Sequence, residues 1–296
     1  MSKPSILHFL TPLTYISPFD VNMAADAGFV IASYTGVTSD LVVRLTQDAM
    51  FSRDPKHAPR TCLFFGGSDG LLALDWQEAA RKELFAPFEI SLFSDPNGAF
   101  TTAGAMVAAA ERQLKKQGGS WKGAKVTVYG AKGVVAGICG VICAEAGADV
   151  TLVTHDRSNA VAEKAVEFEK RFKRPFTAAF GSNEEERIEA LKDADVVFTA
   201  ARAGVQVLSQ AELKHAKHLK VAADINAVPP LGIEGVGVHD DGAAIPGTKA
   251  VGIGALAIGD IKFKTQHALL LKIAKAEKAQ YFDFRDAYRV ALELVS

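Results

Sequence analysis

Short apolar runs alternate with helix-like patterns along almost the whole chain, and this alternation limits the fold more than any single motif does. In the first third, strand candidates at 6–10, 29–33, 61–65 and 89–93 are separated by helix candidates at 19–27, 39–50 and 71–84. Strands joined through helices run parallel, so the pattern predicts a parallel sheet covered by helices. A second series begins after 124. Its strands are predicted at 125–129, 149–154, 176–180, 195–200, 221–224 and 251–253, with helices at 134–146, 159–172, 184–192 and 210–216. Six strands with helices between most of them fit a doubly wound nucleotide-binding domain.

Between the two series, Asp95-Pro-Asn-Gly marks a turn and 101–116 reads as a long alanine-rich helix. The glycine-rich stretch Gln117-Gly-Gly-Ser-Trp-Lys-Gly123 then breaks the pattern, and the domain boundary is expected there. Two tail helices, at 264–276 and 283–294, are expected to return to the first domain. The expected organisation is an α/β chain with a smaller substrate domain at 1–118, completed by 264–296, and a Rossmann-type dinucleotide domain at 119–263. A length of 296 residues suits two domains of ~150 residues each.

The second series opens with Val126-Thr-Val-Tyr-Gly-Ala-Lys-Gly-Val-Val-Ala-Gly137, a buried strand, a glycine turn and an apolar helix. This is the context a phosphate loop needs. Gly130 and Gly133 permit a tight turn and close backbone approach, and the helix N-terminus offers N–H groups and positive dipole to a pyrophosphate. The spacing departs from Gly-x-Gly-x-x-Gly: Lys132 stands at the second glycine position and Val135 at the third. Gly130, Lys132, Gly133, Val134 and Val135 are therefore candidate cofactor contacts, with Ala200 at the end of a later strand. The alternative is a strand–helix turn that binds nothing. The next strand ends in Val153-Thr-His-Asp-Arg157, with Thr154 where an NAD-binding acid is expected. His155 and Arg157 suit a 2′-phosphate and Asp156 suits a hydroxyl, a mixture that favours NADP without excluding NAD. Equally, these residues form a polar loop before a helix.

Composition narrows the class. A net charge of −1 gives no electrostatic case for nucleic acid or an anionic membrane. Cys62, Cys139 and Cys143 cannot all pair, which suggests reduced thiols and a cytoplasmic protein. The N-terminus has no signal-peptide pattern, and the low-charge stretch 133–144 is too short to span a bilayer. Cys139 and Cys143 lie four apart among apolar neighbours, and no His-Glu-x-x-His pattern occurs, so no metal is expected.

Other candidates lie at strand ends, where open α/β sheets bind ligands. Asp20, in Ser17-Pro-Phe-Asp-Val, is either a catalytic carboxylate or a helix cap, and Phe19 beside it can stack on a flat ring. Asn97 and Thr102 are candidate substrate contacts or simple turn residues. Asn226, in Asp224-Ile-Asn-Ala-Val-Pro-Pro, either contacts the cofactor or closes an Asx-turn. Lys262 follows a glycine-spaced apolar segment, 252–262, and is either functional or merely solvated.

Several of these strings together resemble one family. They are Ile6-Leu-His-Phe-Leu-Thr-Pro-Leu, Ser17-Pro-Phe-Asp-Val-Asn-Met, Leu45-Thr-Gln-Asp-Ala-Met-Phe-Ser-Arg53, Phe100-Thr-Thr, Asp224-Ile-Asn-Ala-Val-Pro-Pro and Val251-Gly-Ile-Gly-Ala-Leu-Ala. Over essentially its whole length the chain is similar to the bacterial NAD(P)-dependent methylene-tetrahydromethanopterin dehydrogenases. The similarity is greater to the member that accepts both NAD and NADP than to the NADP-only paralogue. The resemblance implies a two-domain α/β subunit with an interdomain cleft, assembled as a homo-oligomer, a trimer or hexamer. It implies hydride transfer from N5,N10-methylene-tetrahydromethanopterin to NAD or NADP in one-carbon metabolism, without a metal. It also places Asp20 and Lys262 near the pterin. Methylene-tetrahydrofolate dehydrogenase is the alternative enzyme, and a non-catalytic dinucleotide sensor is the alternative from another class.

Overall fold

The computed structural model describes residues 3–296. In chain order the elements are β1 (Ser5–Leu10), α1 (Pro18–Asp26), β2 (Phe29–Tyr34), α2 (Ser39–Phe51), β3 (Thr61–Phe65), α3 (Gly70–Glu83), β4 (Ser91–Ser94) and α4 (Ala99–Lys116). Then come β5 (Lys125–Tyr129), α5 (Val134–Glu145), β6 (Asp149–Thr154), α6 (Ala160–Phe172), β7 (Thr177–Phe180), α7 (Glu184–Leu191), β8 (Val196–Thr199) and α8 (Gln210–Leu213). The chain ends with β9 (Val221–Asp224), β10 (Asp241–Ala244), β11 (Val251–Ile253), α9 (Ala255–Ala274), β12 (Tyr281–Phe282) and α10 (Phe284–Val295).

Contacts divide the chain into two compact units. One holds the residues up to Thr101 together with Phe263–Val290; the other holds Thr102–Lys262 with Ala291–Ser296. The glycine-rich break at 117–123, expected as the boundary, lies inside the second unit, and the chain passes between units within α4, α9 and α10 instead.

Among the described residues, the first unit carries a five-stranded parallel sheet in the order β12-β4-β3-β1-β2. This is a doubly wound order, with the chain switching direction between β1 and β3. Strand β3 is buried at every residue, as a parallel strand covered on both faces must be. Its alternate side chains serve two cores. Cys62 and Phe64 pack with Leu7, Phe9, Met23 of α1 and Leu269, Leu270 and Ile273 of α9. Leu63 and Phe65 pack with Leu10, Val42 of α2, and Ala73, Trp76 and Ala80 of α3.

The second unit's sheet has seven strands in the order β10-β11-β9-β8-β5-β6-β7. All neighbours pair in parallel except β10 and β11. Counting from β5, the parallel strands run 3-2-1-4-5-6, the dinucleotide-fold order. Helix α5 lies tightly on this sheet because Gly140 has no side chain; a Cβ there would sit 3.0 Å from Leu152 Cδ2 and 3.2 Å from Val150 Cγ1. The sequence expectation lacked β10, an exposed Asp-Gly-Ala-Ala edge without an apolar run, and the two-residue β12. It also began the last long helix at 264, whereas α9 begins at Ala255 and absorbs Gly259. Lys262 and Lys264 therefore sit in helix and point to different faces.

Asp95 anchors the start of α4. Its Oδ1 accepts from Phe100 N (2.9 Å) and Thr101 N (3.1 Å), and its Oδ2 accepts from Thr101 Oγ1 (2.6 Å), all in full burial. Asn97, two residues on, is exposed and left-handed at φ 49°. Replacing Asp95 by alanine strands buried donors and is expected to cost about 2–4 kcal/mol, read as a lower urea midpoint. Asn97→Gly, which suits that backbone, is expected to change stability by less than about 0.5 kcal/mol.

Candidate active site

In the second unit, β5 pairs with β6 on one side and β8 on the other, so the loops after β5 and β8 flank the point where strand order reverses. Gly130 turns the chain there at φ +79°, and a Cβ on it would meet the Ala200 carbonyl oxygen at 2.6 Å. Only glycine satisfies both conditions. Gly133 N donates back to Gly130 O (2.9 Å), and Gly133 then caps α5 with an extended backbone and no capping side chain. The first helical bond from this cap is Gly137 N to Gly133 O (3.1 Å), which leaves Val134, Val135 and Ala136 as the first-turn donors.

Lys164 of α6 completes the loop. Its Nζ donates to Lys132 O (2.6 Å), Ala131 O (3.2 Å) and Gly133 O (3.5 Å). Because a trans peptide sets its N–H opposite its C=O, holding the Gly133 carbonyl toward Lys164 turns the Val134 N–H the other way. Sequence reasoning missed this lysine, which lies 31 residues beyond Gly133.

At the β6 end, Lys132 Nζ donates to Asp156 Oδ2 (2.5 Å). Asp156 Oδ1 accepts from Thr154 Oγ1 (3.1 Å), Ser158 N (3.1 Å) and Ser158 Oγ (2.6 Å). The lysine and these donors hold the Asp156 carboxyl well below the ordinary range. Arg157 pairs with Glu186 Oε1 (2.5 Å) and lies 5.7 Å from the Phe180 ring centre. His155 is exposed.

Asn226 spends its side chain on the backbone of its own loop and of the loop after β8. Oδ1 accepts from Val228 N (3.0 Å) and Gly204 N (3.2 Å), and Nδ2 donates to Pro230 O (2.9 Å). The bond to Val228 is the Asx-turn that sequence offered as the alternative role. The missed residue here is Asp224. Its buried carboxylate accepts from Thr199 Oγ1 (2.7 Å), Asn226 N (3.1 Å) and Gly232 N (2.7 Å). Burial pushes its pKa up, while these bonds oppose the shift.

In the first unit, the loops after β1 and β3 flank the corresponding switch point. Ser17, not Asp20, caps α1: Asp20 N donates to Ser17 Oγ (3.3 Å). The Asp20 side chain is only 3% exposed, and its Oδ1 accepts from Gln266 Nε2 (2.6 Å) of α9. Nothing in the sequence marked Gln266, which stands 246 residues from its partner. Phe19 is 45% exposed in the first turn of α1. The glycine turn after β3 is closed structurally, with Asp69 capping α3 through Leu71 N and Leu72 N. Thr102 and Lys262, both half-buried, belong to the second unit.

The second unit fits a dinucleotide. The Gly130 turn leaves no room for a side chain, α5 opens without a capping side chain, and polar and basic groups gather at the β6 end. No helix among the described residues is long and apolar enough to cross a membrane.

A family model described as methylene-tetrahydromethanopterin dehydrogenase, N-terminal, matches residues 18–97. The chain is 46% identical over 292 residues to the NAD(P)-dependent methylenetetrahydromethanopterin dehydrogenase of Methylorubrum extorquens, covering 98% of both chains. It is 36% identical to the bifunctional protein MdtA of the same organism, over 99% of this chain and 100% of that one. Among solved structures, ornithine carbamoyltransferase from Pyrococcus furiosus matches 90% of this chain and 83% of its own, with a TM-score of 0.50 at 16% identity, a likeness of fold alone. With nearly half its residues identical to a relative matched end to end, the chain belongs to the NAD(P)-dependent methylenetetrahydromethanopterin dehydrogenase family.

Proposed function

We propose that the chain catalyses reversible oxidation of N5,N10-methylene-tetrahydromethanopterin to its methenyl form, with NAD+ or NADP+ as the acceptor, in one-carbon metabolism. The full-length relationship at 46% identity carries this reading, and the tight Gly130 turn, which leaves no room for a side chain, supports a dinucleotide there. The bound dinucleotide would supply the two-electron acceptor. Val134 and Val135 would hold its pyrophosphate through their N–H groups, with Gly130 and Gly133 allowing close approach. Lys132, Thr154, His155 and Arg157 would meet the adenosine end. Ala200 and Asn226, after β8 and β9, would line the other half of the dinucleotide site.

On the substrate, the methylene C–H bond breaks and its electron pair leaves with the hydrogen, so an N–C–N amidinium cation forms. No general base is required. What the protein must do is orient the ring and stabilise the new positive charge. Asp20, buried at the start of α1 and oriented by Gln266, is proposed as that stabilising carboxylate. Phe19 would stack on the pterin, and Asn97 and Thr102 are proposed as further polar contacts. Lys262 lies one helical turn before Gln266 on α9 and is proposed as a second polar group near the pterin. A homo-oligomer, trimer or hexamer, is the proposed assembly, and light scattering on the eluted protein measures it.

Purified protein given methylene-tetrahydromethanopterin and NAD+ or NADP+ is expected to generate the near-ultraviolet absorbance of reduced cofactor. The tetrahydrofolate analogue at equal concentration is expected to react more slowly. No reduced cofactor with either pterin would favour a sensor. Asp20→Asn, which keeps an acceptor for Gln266, is expected to lower kcat by roughly tenfold or more with little change in dinucleotide KM. Undiminished turnover would remove Asp20 from the mechanism. Lys164→Met is expected to weaken NAD+ binding by about tenfold through loss of the loop carbonyls' donor, as calorimetry would detect.

A further inference from the structure

The acid beyond β6 carries a partner that a simple ribose-binding carboxylate does not need. Asp156 is anchored through Oδ1 by Thr154 and Ser158, so its position does not depend on Lys132, which holds Oδ2 alone among these contacts. Lys132 and Asp156 are 38% and 39% exposed, and an exposed pair is weakly held and readily exchanged. The neighbouring cation is differently placed. Arg157 is bound to Glu186 Oε1, while Glu186 Oε2 is tied to Ser182 N (2.9 Å).

We propose that Lys132 and Asp156 form an exchangeable ion pair that admits adenosine ribose with or without a 2′-phosphate, and so sets the enzyme's tolerance of both NAD and NADP. With a free ribose, the fixed Asp156 carboxylate accepts the 2′-hydroxyl. With a 2′-phosphate, Lys132 leaves Oδ2 for the phosphate, whose negative charge an unaccompanied Asp156 would repel. The long lysine stem makes this a side-chain rotation with the loop backbone unmoved, since Lys164 holds the Lys132 carbonyl separately. The proposal rests on Gly130–Val135 being the pyrophosphate loop.

Calorimetric titration of the full chain with 5′-AMP and 2′,5′-ADP tests it, because the two probes differ by one phosphate. Wild-type protein is expected to bind both within about tenfold of each other, and Lys132→Gln to weaken 2′,5′-ADP by about tenfold or more while leaving 5′-AMP within about twofold. Asp156→Asn is expected to do the reverse, weakening 5′-AMP severalfold and sparing or tightening 2′,5′-ADP. An unchanged ratio in Lys132→Gln overturns the proposal, as does loss of the phosphate preference in Arg157→Gln instead. If neither probe nor NAD+ binds the wild type, the pyrophosphate-loop reading itself fails and this proposal falls with it.

Discussion

The closeness of Gly130 to the Ala200 carbonyl is the contact from which the second unit's site follows. A side chain at 130 would sit 2.6 Å from that oxygen, so its absence lets the β5 and β8 loops meet at the point where strand order reverses. The same turn delivers the chain into α5 through Gly133, which has no side chain with which to cap the helix. Lys164 then gathers the loop's carbonyls on one side. Turn, helix end and lysine together leave the first-turn N–H groups of α5 for the proposed pyrophosphate.

Asp20, Asp95, Asp156 and Asp224 all lie at or beyond strand ends, and their surroundings give them different work. Asp95 and Asp224 spend both carboxylate oxygens on neighbouring backbone and hydroxyl groups, fixing the start of α4 and the 224–233 loop. Asp156 commits one oxygen to its own loop and gives the other to Lys132. Asp20 is buried against a neutral amide, so its charge meets Gln266's dipole there.

Most of the sheet was legible in the sequence because its central strands are continuous apolar runs broken by glycine or helix-forming stretches. Strands β3, β5, β6, β9 and β11 fall where the pattern put them. The exposed β10 and the two-residue β12 were not legible, since neither carries an apolar run, and the early start of α9 was masked by the glycines at 254 and 259 in its apolar segment. The glycine turn between β5 and α5 was visible through Gly130 and Gly133. Lys164, Gln266 and Asp224 were not, because each acts through a contact that only folding creates. Asn226 shows the converse: a conspicuous motif whose amide closes its own turn.

Amide NMR shifts during titration with NAD+ test the central claim most directly, because a pyrophosphate on the α5 N-terminus must perturb the N–H groups it binds. The account predicts that the largest changes fall on Gly133, Val134 and Val135, with smaller ones at Asp156 and Ser158. Saturable binding that leaves these amides unmoved and shifts another set of residues would contradict it.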